Sequence, residues 1–262
     1  MRFIAAMDAT VRSRYLGPVK RSLPLSTATA GRCLDSLESE RRHPALTVDG
    51  KRIASRLRSL LGAGKVLDVG AGDGFHSQAL IAAGYEVHAL EPSPEAREVF
   101  RRINGFEPQN GFLDSAFAQS HEQAYDAILL SQVLEHLPDP NATANHLRQL
   151  LRPGGVAAIA VPHFRSWLSR IMGRHDMFIS PPEHLNYFAF AGLVRLMSRH
   201  GFDFASSETV TWFDPDRVAA RARPRALGRP MVGVLRLFFA AADRMHRGNT
   251  LEAYFRRPKD RP

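Results

Sequence analysis

The run Lys65-Val66-Leu67-Asp68-Val69, followed at once by Gly70-Ala71-Gly72-Asp73-Gly74 and then by Phe75 to Ala83, constrains the fold more than any other stretch. Its apolar and β-branched residues predict a short buried strand. Glycines at alternate positions predict a bend that no side chain obstructs, and Phe75 to Ala83 predicts a helix stopped by Gly84. Strand, bend and helix in that order let a ligand approach the backbone closely. The pattern then recurs. Tyr85 to Leu90 is a second strand ending at Glu91-Pro92, and Ser93 and Pro94 suit the N-cap and first turn of a helix running to about Ile103. Tyr125 to Leu130 is a third clear strand. A helix from about Asn141 to Leu151 precedes Pro153-Gly154-Gly155, and Val156 to Val161 is another strand. A weak strand is expected within 105–124. Apolar strands alternating with helices predict a parallel sheet covered on both faces.

The glycine spacing also says what the bend holds. A pyrophosphate-binding turn reads Gly-x-Gly-x-x-Gly, and its third glycine would fall here at Phe75. A ligand with a nucleoside but no phosphate fits better. Glu91, 21 residues after Gly70 and at the end of the second strand, can accept hydrogen bonds from both hydroxyls of a ribose.

Composition narrows the classes. A chain of 262 residues, 44% hydrophobic and 23% charged, can bury a real core, which excludes wholesale disorder. The single Cys33 excludes a disulfide scaffold and disfavours structural zinc. Met231 to Ala242, the longest apolar run, contains Arg236 and is too short to span a bilayer. Phe3 to Met7 is too brief for a signal-peptide core, so a cytoplasmic protein is expected. The net charge of +9 is unevenly placed: residues 1–64 hold twelve basic against five acidic residues, residues 65–161 six against twelve, and residues 162–262 seventeen against nine. An acidic middle between basic ends predicts an independent central unit with basic additions. It does not predict one continuous nucleic-acid groove.

These boundaries give an N-terminal cap segment at 1–50, a central domain at 51–213 with a cap insert at about 163–188, and a basic C-terminal lid and helix at 214–262. Within the flanks, a helix is expected from about Val48 to Leu61, another from Ala189 to His200 capped by Gly201, a strand-like Phe202 to Phe213, and an apolar helix from Met231 to Arg247. Arg217, Arg221, Arg223, Arg225 and Arg229 punctuate the loop before that last helix. They could steer an anionic acceptor, touch a membrane surface or bind RNA, but a solvated loop beside a packed helix outweighs each of these.

At Val66 to Gly74, Leu90-Glu91-Pro92, Tyr125 to Ile128, Val133 to Pro140 and Leu151 to Gly155 the chain resembles the class I S-adenosylmethionine-dependent methyltransferases. The resemblance covers roughly residues 60–165. It implies an α/β fold with a Rossmann-like, doubly wound, mostly parallel seven-stranded sheet, and S-adenosylmethionine as cofactor. It also implies that Asp68, Gly70, Ala71 and Gly72 border the cofactor, that Glu91-Pro92 holds the ribose, that Asp114 lies near the adenine, and that Ser131 and Gln132 line the far side. Pro181 to Phe188, followed by a helix ending at His200-Gly201-Phe202, is similar to a subgroup that includes quinone-precursor O-methyltransferases and methyltransferases of glycan or natural-product clusters. Relatives there with a cysteine-rich zinc segment are a poor match, since this chain has Cys33 alone.

The implied reaction is displacement at a sulfonium methyl group by a nucleophile of the acceptor. A hydroxyl nucleophile needs a base, and His136, His163 and His184 are the candidates, with His184 preferred. Adjacent Glu135 and His136 are not expected to share a helix face. Some quinone-precursor methyltransferases use a divalent ion near this turn. Glu135, His136 and Asp139, all in one turn, make a poor cage, so no metal is expected. The expectation is methyl transfer to a small-molecule acceptor, preferably at oxygen, in quinone, glycan, lipid or secondary-metabolite biosynthesis, by a monomer or homodimer. The rivals are a nicotinamide-dependent oxidoreductase, disfavoured by the glycine register, and a non-catalytic or RNA-associated module.

Overall fold

The computed structural model describes residues 44–176, 181, 183–211 and 228–259. The expected cap up to residue 43, Cys33, Pro182, Arg217, Arg221, Arg223 and Arg225 lie outside them.

Helix α1 (Pro44–Leu61) opens on a proline, whose missing N–H is harmless in a first turn, and leads into β1 (Lys65–Val69). Then follow α2 (Phe75–Ala82), β2 (Glu86–Leu90), α3 (Pro94–Asn104), the short α4 (Ser115–Ser120), β3 (Tyr125–Ser131), α5 (Pro140–Leu150) and β4 (Leu151–Pro162). The chain continues through α6 (Trp167–Met172), α7 (Phe190–Arg199), β5 (Asp203–Val210), α8 (Gly228–Arg244) and β6 (Thr250–Arg256). As expected, Ser93 caps α3, its hydroxyl accepting from the Ala96 N–H at 3.2 Å ahead of Pro94.

The sheet runs β2-β1-β3-β4-β6-β5, with β2, β1, β3 and β4 parallel and β6 antiparallel to both of its neighbours. Side chains alternate between its faces. Leu67, Ile128, Leu130, Ala157 and Ile159 pack with Leu147, Leu193 and Met197 on one side. Val66, Ala127, Leu129, Val156 and Ala158 pack with Ile53, Leu57 and Leu80 on the other. Burial on both faces is why the strands read as continuous apolar runs.

Two expectations need correcting. The described residues form six strands, not seven: within 105–124 only Gln109 pairs with the sheet, donating to the Ala89 carbonyl at 2.8 Å and accepting from the Glu91 N–H at 3.0 Å. The expected lid and helix at 214–262 is part of the domain where it is described. Its residues 250–256 form β6, buried in the sheet between β4 and β5, and α1 likewise begins at Pro44, before the expected boundary at 51. Glu252 sits on β6 and is buried. Arg52 of α1 reaches it, with Nε 3.3 Å from Oε2, and so ties the first described helix to the last strand. Burial pushes the Glu252 carboxyl up to about 7, against the opposing pull of Arg52.

From β1 the chain crosses to β2 on one side, and from β2 it crosses back to β3 on the other. The point where an open α/β sheet binds ligands therefore lies at the carboxyl ends of β1 and β3.

Candidate active site

The glycine bend stands at that point. Gly70, Gly72 and Gly74 all have positive φ, at 65°, 54° and 88°. They differ in what surrounds them. A side chain on Gly70 would meet Val133 at 2.7 Å, and one on Gly74 would strike Asn104 and Phe100 at 2.3 and 2.5 Å. At Gly72 nothing lies within 4 Å, so the bend leaves open space there. Gly70 and Gly74 are thus required for packing, and Gly72 faces a hollow that a bound molecule can fill.

Glu91 borders this bend. One carboxylate oxygen accepts from the Gly72 N–H at 2.8 Å, and the other accepts from the Ser93 N–H at 2.8 Å. The main chain fixes the group in orientation, and each oxygen keeps a lone pair for a further donor. Asp68, at the end of β1, is buried and accepts from the Ser77 hydroxyl at 2.7 Å. Burial, with the charge of Glu91 adding, raises its carboxyl to about 7 while Ser77 opposes. The expected cofactor residues Asp68, Gly70, Ala71, Gly72, Glu91 and Pro92 therefore converge. The Ala71 N–H bonds to the Leu90 carbonyl at 3.0 Å and locks the bend to the end of β2.

On the far side, Ser131 and Gln132 end β3. Gln132 holds a left-handed φ of 56°, while its N–H bonds to the Ala160 carbonyl at 2.8 Å. That conformation is costly for glutamine and occurs where the chain turns toward the site. Asp114 is exposed, and its carboxylate caps α4 through the Phe117 N–H at 2.8 Å. Sequence reasoning missed His76, on the first turn of α2, whose Nε2 lies 3.4 Å from the Ser131 hydroxyl. Burial, with Arg52 adding, pushes its ring down to about 4, so it is neutral at physiological pH. Its place two residues after Gly74 was the available signal.

The turn after β3 carries a second cluster. Val133 packs against Gly70, which brings this turn against the glycine bend. Next to it, Glu135 is buried to 1% exposure, and neither carboxylate oxygen has a hydrogen-bond partner among the described residues. Burial raises its carboxyl, with His136 and His184 opposing. The stretch 183–186 is laced onto the same turn. The Leu185 and Asn186 N–H groups donate to the Glu135 carbonyl at 2.8 and 3.0 Å, and the Asn186 side chain donates to the Leu137 carbonyl at 2.7 Å. His136 Nδ1 lies 2.8 Å from the Glu183 carbonyl and so must donate its proton there. Its Nε2 is 4.0 Å from Glu135, which sets two acceptors facing each other until a proton or cation lies between them. His184 comes edge-on to His136, with ring centroids 4.7 Å apart.

Three readings change as a result. Adjacent Glu135 and His136 do reach one point, with Nε2 and Oε1 4.0 Å apart, although successive residues of a 3-10 turn leave the backbone about 120° apart. A ligand set drawn from one turn is replaced by a better one: Glu135, His136 and His184 offer ligand atoms within 4.8 Å of one another, while Asp139 instead caps α5 through the Asn141 and Ala142 N–H groups. The stated reason against a metal is therefore removed. His163 stands outside the cluster. It is buried after β4 with Nδ1 3.2 Å from the Gly248 carbonyl, and burial lowers its ring below the usual histidine range.

The family model described as a methyltransferase domain matches residues 40–207. A ubiquinone biosynthesis O-methyltransferase of Aromatoleum aromaticum is 32% identical over 149 residues, which cover 49% of this chain and 63% of that protein. The chain thus matches less than two thirds of that relative's length. Among solved structures, an S-adenosylmethionine-dependent methyltransferase from Archaeoglobus fulgidus aligns with a TM-score of 0.58 at 17% identity, over 84% of this chain and 98% of its own. The 1,6-didemethyltoxoflavin-N1-methyltransferase of Burkholderia thailandensis, solved with S-adenosylhomocysteine, aligns with a TM-score of 0.51 at 19% identity, over 85% of each chain.

Proposed function

Because the chain belongs to the methyltransferase-domain family and is a class I S-adenosylmethionine-dependent methyltransferase, we propose that it methylates an oxygen nucleophile of a small-molecule acceptor. Family membership makes S-adenosylmethionine the cofactor and leaves the nicotinamide reading without support. The observation that carries the proposal is Glu91, held by two main-chain N–H groups beside the hollow at Gly72.

S-adenosylmethionine, when bound, supplies a sulfonium methyl group that the acceptor oxygen takes in one displacement. Glu91 would hold the ribose hydroxyls through its remaining lone pairs, in charge-assisted hydrogen bonds. Gly72 leaves room for the ligand, and Ser131 and Gln132 close the far wall. We assign Asp114 to the adenine side on the family resemblance. His184 takes the proton of the acceptor hydroxyl, and buried Glu135 balances the imidazolium charge that results, as an acid behind a histidine base does. His136 is a positioning residue that fastens the insert to the turn. The named relative in ubiquinone biosynthesis supports a hydroxylated aromatic acceptor. The test is methyl transfer from labelled S-adenosylmethionine to a panel of catechols, other phenols and aromatic amines. Transfer to hydroxyls, lost in His184→Ala with cofactor binding intact, supports the reading. Transfer to amines alone, or to none of the panel, contradicts it.

A second reading rests on the same cluster, whose carboxylate and two imidazoles form a donor set that divalent ions accept.

A further inference from the structure

A groove of about 680 Å³ opens between β5, the start of α7 and the turns that follow β4 and α8. Its volume is that of an ordinary small-molecule site. None of its lining residues belongs to the cofactor hollow or to the Glu135 cluster.

One wall is aromatic. Phe204 of β5 and Phe190 of α7 meet edge to face with ring centroids 5.4 Å apart, yet they stay 44% and 39% exposed. Two rings that pack on each other and remain open leave apolar surface for a third ring to cover.

The other wall is cationic. Arg165 follows β4 and Arg247 precedes β6, and the Trp167 N–H bonds to the Arg247 carbonyl at 2.9 Å, which holds the two segments side by side. Neither guanidinium pairs with an acid among the described residues, and no acid lines the groove. The acids of the flanking segments are placed elsewhere. Glu208 turns toward Arg52 and Arg56 of α1, Asp243 accepts from the Thr211 N–H and hydroxyl at 3.0 Å each, and Asp203 stands at the start of β5 opposite Arg256.

Two further features belong to this groove. His163 is 4% exposed, and its Nδ1 donates to the Gly248 carbonyl at 3.2 Å. Burial lowers its ring, with Arg247 adding, so Nε2 is an acceptor to which no group among the described residues donates. The turn that presents Arg247 is strained. His246 holds a left-handed φ of 55°, fixed by the Arg247 N–H on the Ala242 carbonyl at 2.7 Å and the Gly248 N–H on the Thr209 hydroxyl at 3.0 Å. A residue other than glycine keeps that conformation only where its surroundings impose it, and such positions gather at ligand sites.

From this arrangement we infer that the groove is a second small-molecule site, separate from the methyl-transfer centre, which takes an aromatic carboxylate bearing a hydroxyl group. The carboxylate lies on Arg165 and Arg247, whose planar heads match it in two-pronged hydrogen bonds. The ring covers Phe190 and Phe204, and the hydroxyl donates to Nε2 of His163. Inorganic phosphate would use the arginines and leave the aromatic wall bare. The inference does not depend on the O-methylation reading.

The experiment is titration calorimetry of 6-hydroxy-2-naphthoate into the full chain, compared with 2-naphthol and with inorganic phosphate. Saturable one-to-one binding that salt weakens is the expected result. Affinity should be at least ~10-fold lower for 2-naphthol and for phosphate, and at least ~10-fold lower for the naphthoate in Arg165→Gln/Arg247→Gln and in Phe204→Ala. The arginine variant should keep its thermal midpoint and its S-adenosylhomocysteine affinity, and His184→Ala should bind the naphthoate as the parent does. No saturable binding, equal affinity for 2-naphthol or phosphate, or binding that the arginine variant retains overturns the inference. So does binding that His184→Ala abolishes, which would place the acid in the methyl-transfer centre. None of those outcomes removes the methyl-transfer reading, which fails only if the cofactor does not bind or no acceptor is methylated.

Discussion

Gly72 donates its backbone N–H to the Glu91 carboxylate at 2.8 Å, joining the bend after β1 to the end of β2. The bond makes one unit of two elements that are far apart in sequence. It also orients the acid before any ligand arrives, so less ordering cost falls on binding.

The two glycines flanking Asp73 should respond differently to substitution. Gly72→Ala places a methyl group in the open hollow, so it should weaken S-adenosylhomocysteine binding at least ~10-fold while stability falls by only about 1–2 kcal/mol, the cost of a left-handed alanine. Gly74→Ala drives a methyl group into Asn104 and Phe100 and should cost about 3 kcal/mol or more in denaturant unfolding. Equal effects of the two on stability would contradict this assignment.

Asp68 makes the stability of the ligand-free protein depend on pH. Its folded carboxyl titrates at about 7, whereas in the unfolded chain an aspartate titrates near 4. Between those values the folded state keeps a proton that the unfolded state has lost. Stability from this group is therefore full below about pH 4 and is lost as pH rises through about 7. Asp68→Asn keeps an acceptor for Ser77 and cannot ionise. It should be more stable than the parent at pH 8 by on the order of a few kcal/mol, with the gain gone at pH 4. Parallel melting curves across that range would contradict the prediction.

Glu135 should trade stability for activity. Glu135→Gln removes a buried charge that has no hydrogen-bond partner among the described residues, so its thermal midpoint should rise at pH 8. Its kcat should fall at least ~100-fold, and His184→Ala should fall by ~100-fold or more, each with cofactor affinity unchanged. Exhaustive chelation should leave the parent's rate intact if His184 is the base. A rate lost on chelation and restored by magnesium or zinc would transfer the cluster to the metal reading.

Arg52 and Glu252 are 200 residues apart and hold α1 to β6. Arg52→Ala strands a buried carboxylate and should cost about 3 kcal/mol, and adding Glu252→Leu should recover most of it. No recovery in the double variant would show that Arg52 acts through other contacts.

What could be read in the sequence follows from how local each feature is. The strand from Lys65, the glycine bend and Glu91 were legible because left-handed glycines and an acid at a strand end are local requirements. The seventh strand was not borne out among the described residues: in that segment Gln109 alone pairs with β2, and no apolar run on either side of it extends the pairing. Strand β6 escaped notice because Glu252 interrupts its apolar run, and only a distant arginine explains a charge there. The meeting of Glu135 and His136 with His184 is tertiary: it depends on hydrogen bonds between the 183–186 stretch and a turn nearly fifty residues earlier, which no local pattern announces.

The central claim is tested most directly by titration calorimetry of S-adenosylhomocysteine into the parent chain and into Glu91→Ala. The account predicts saturable one-to-one binding by the parent and a loss of at least ~100-fold in the variant, the scale of charged hydrogen bonds removed from a buried site. No saturable heat with the parent, or equal affinities in the two proteins, would contradict it.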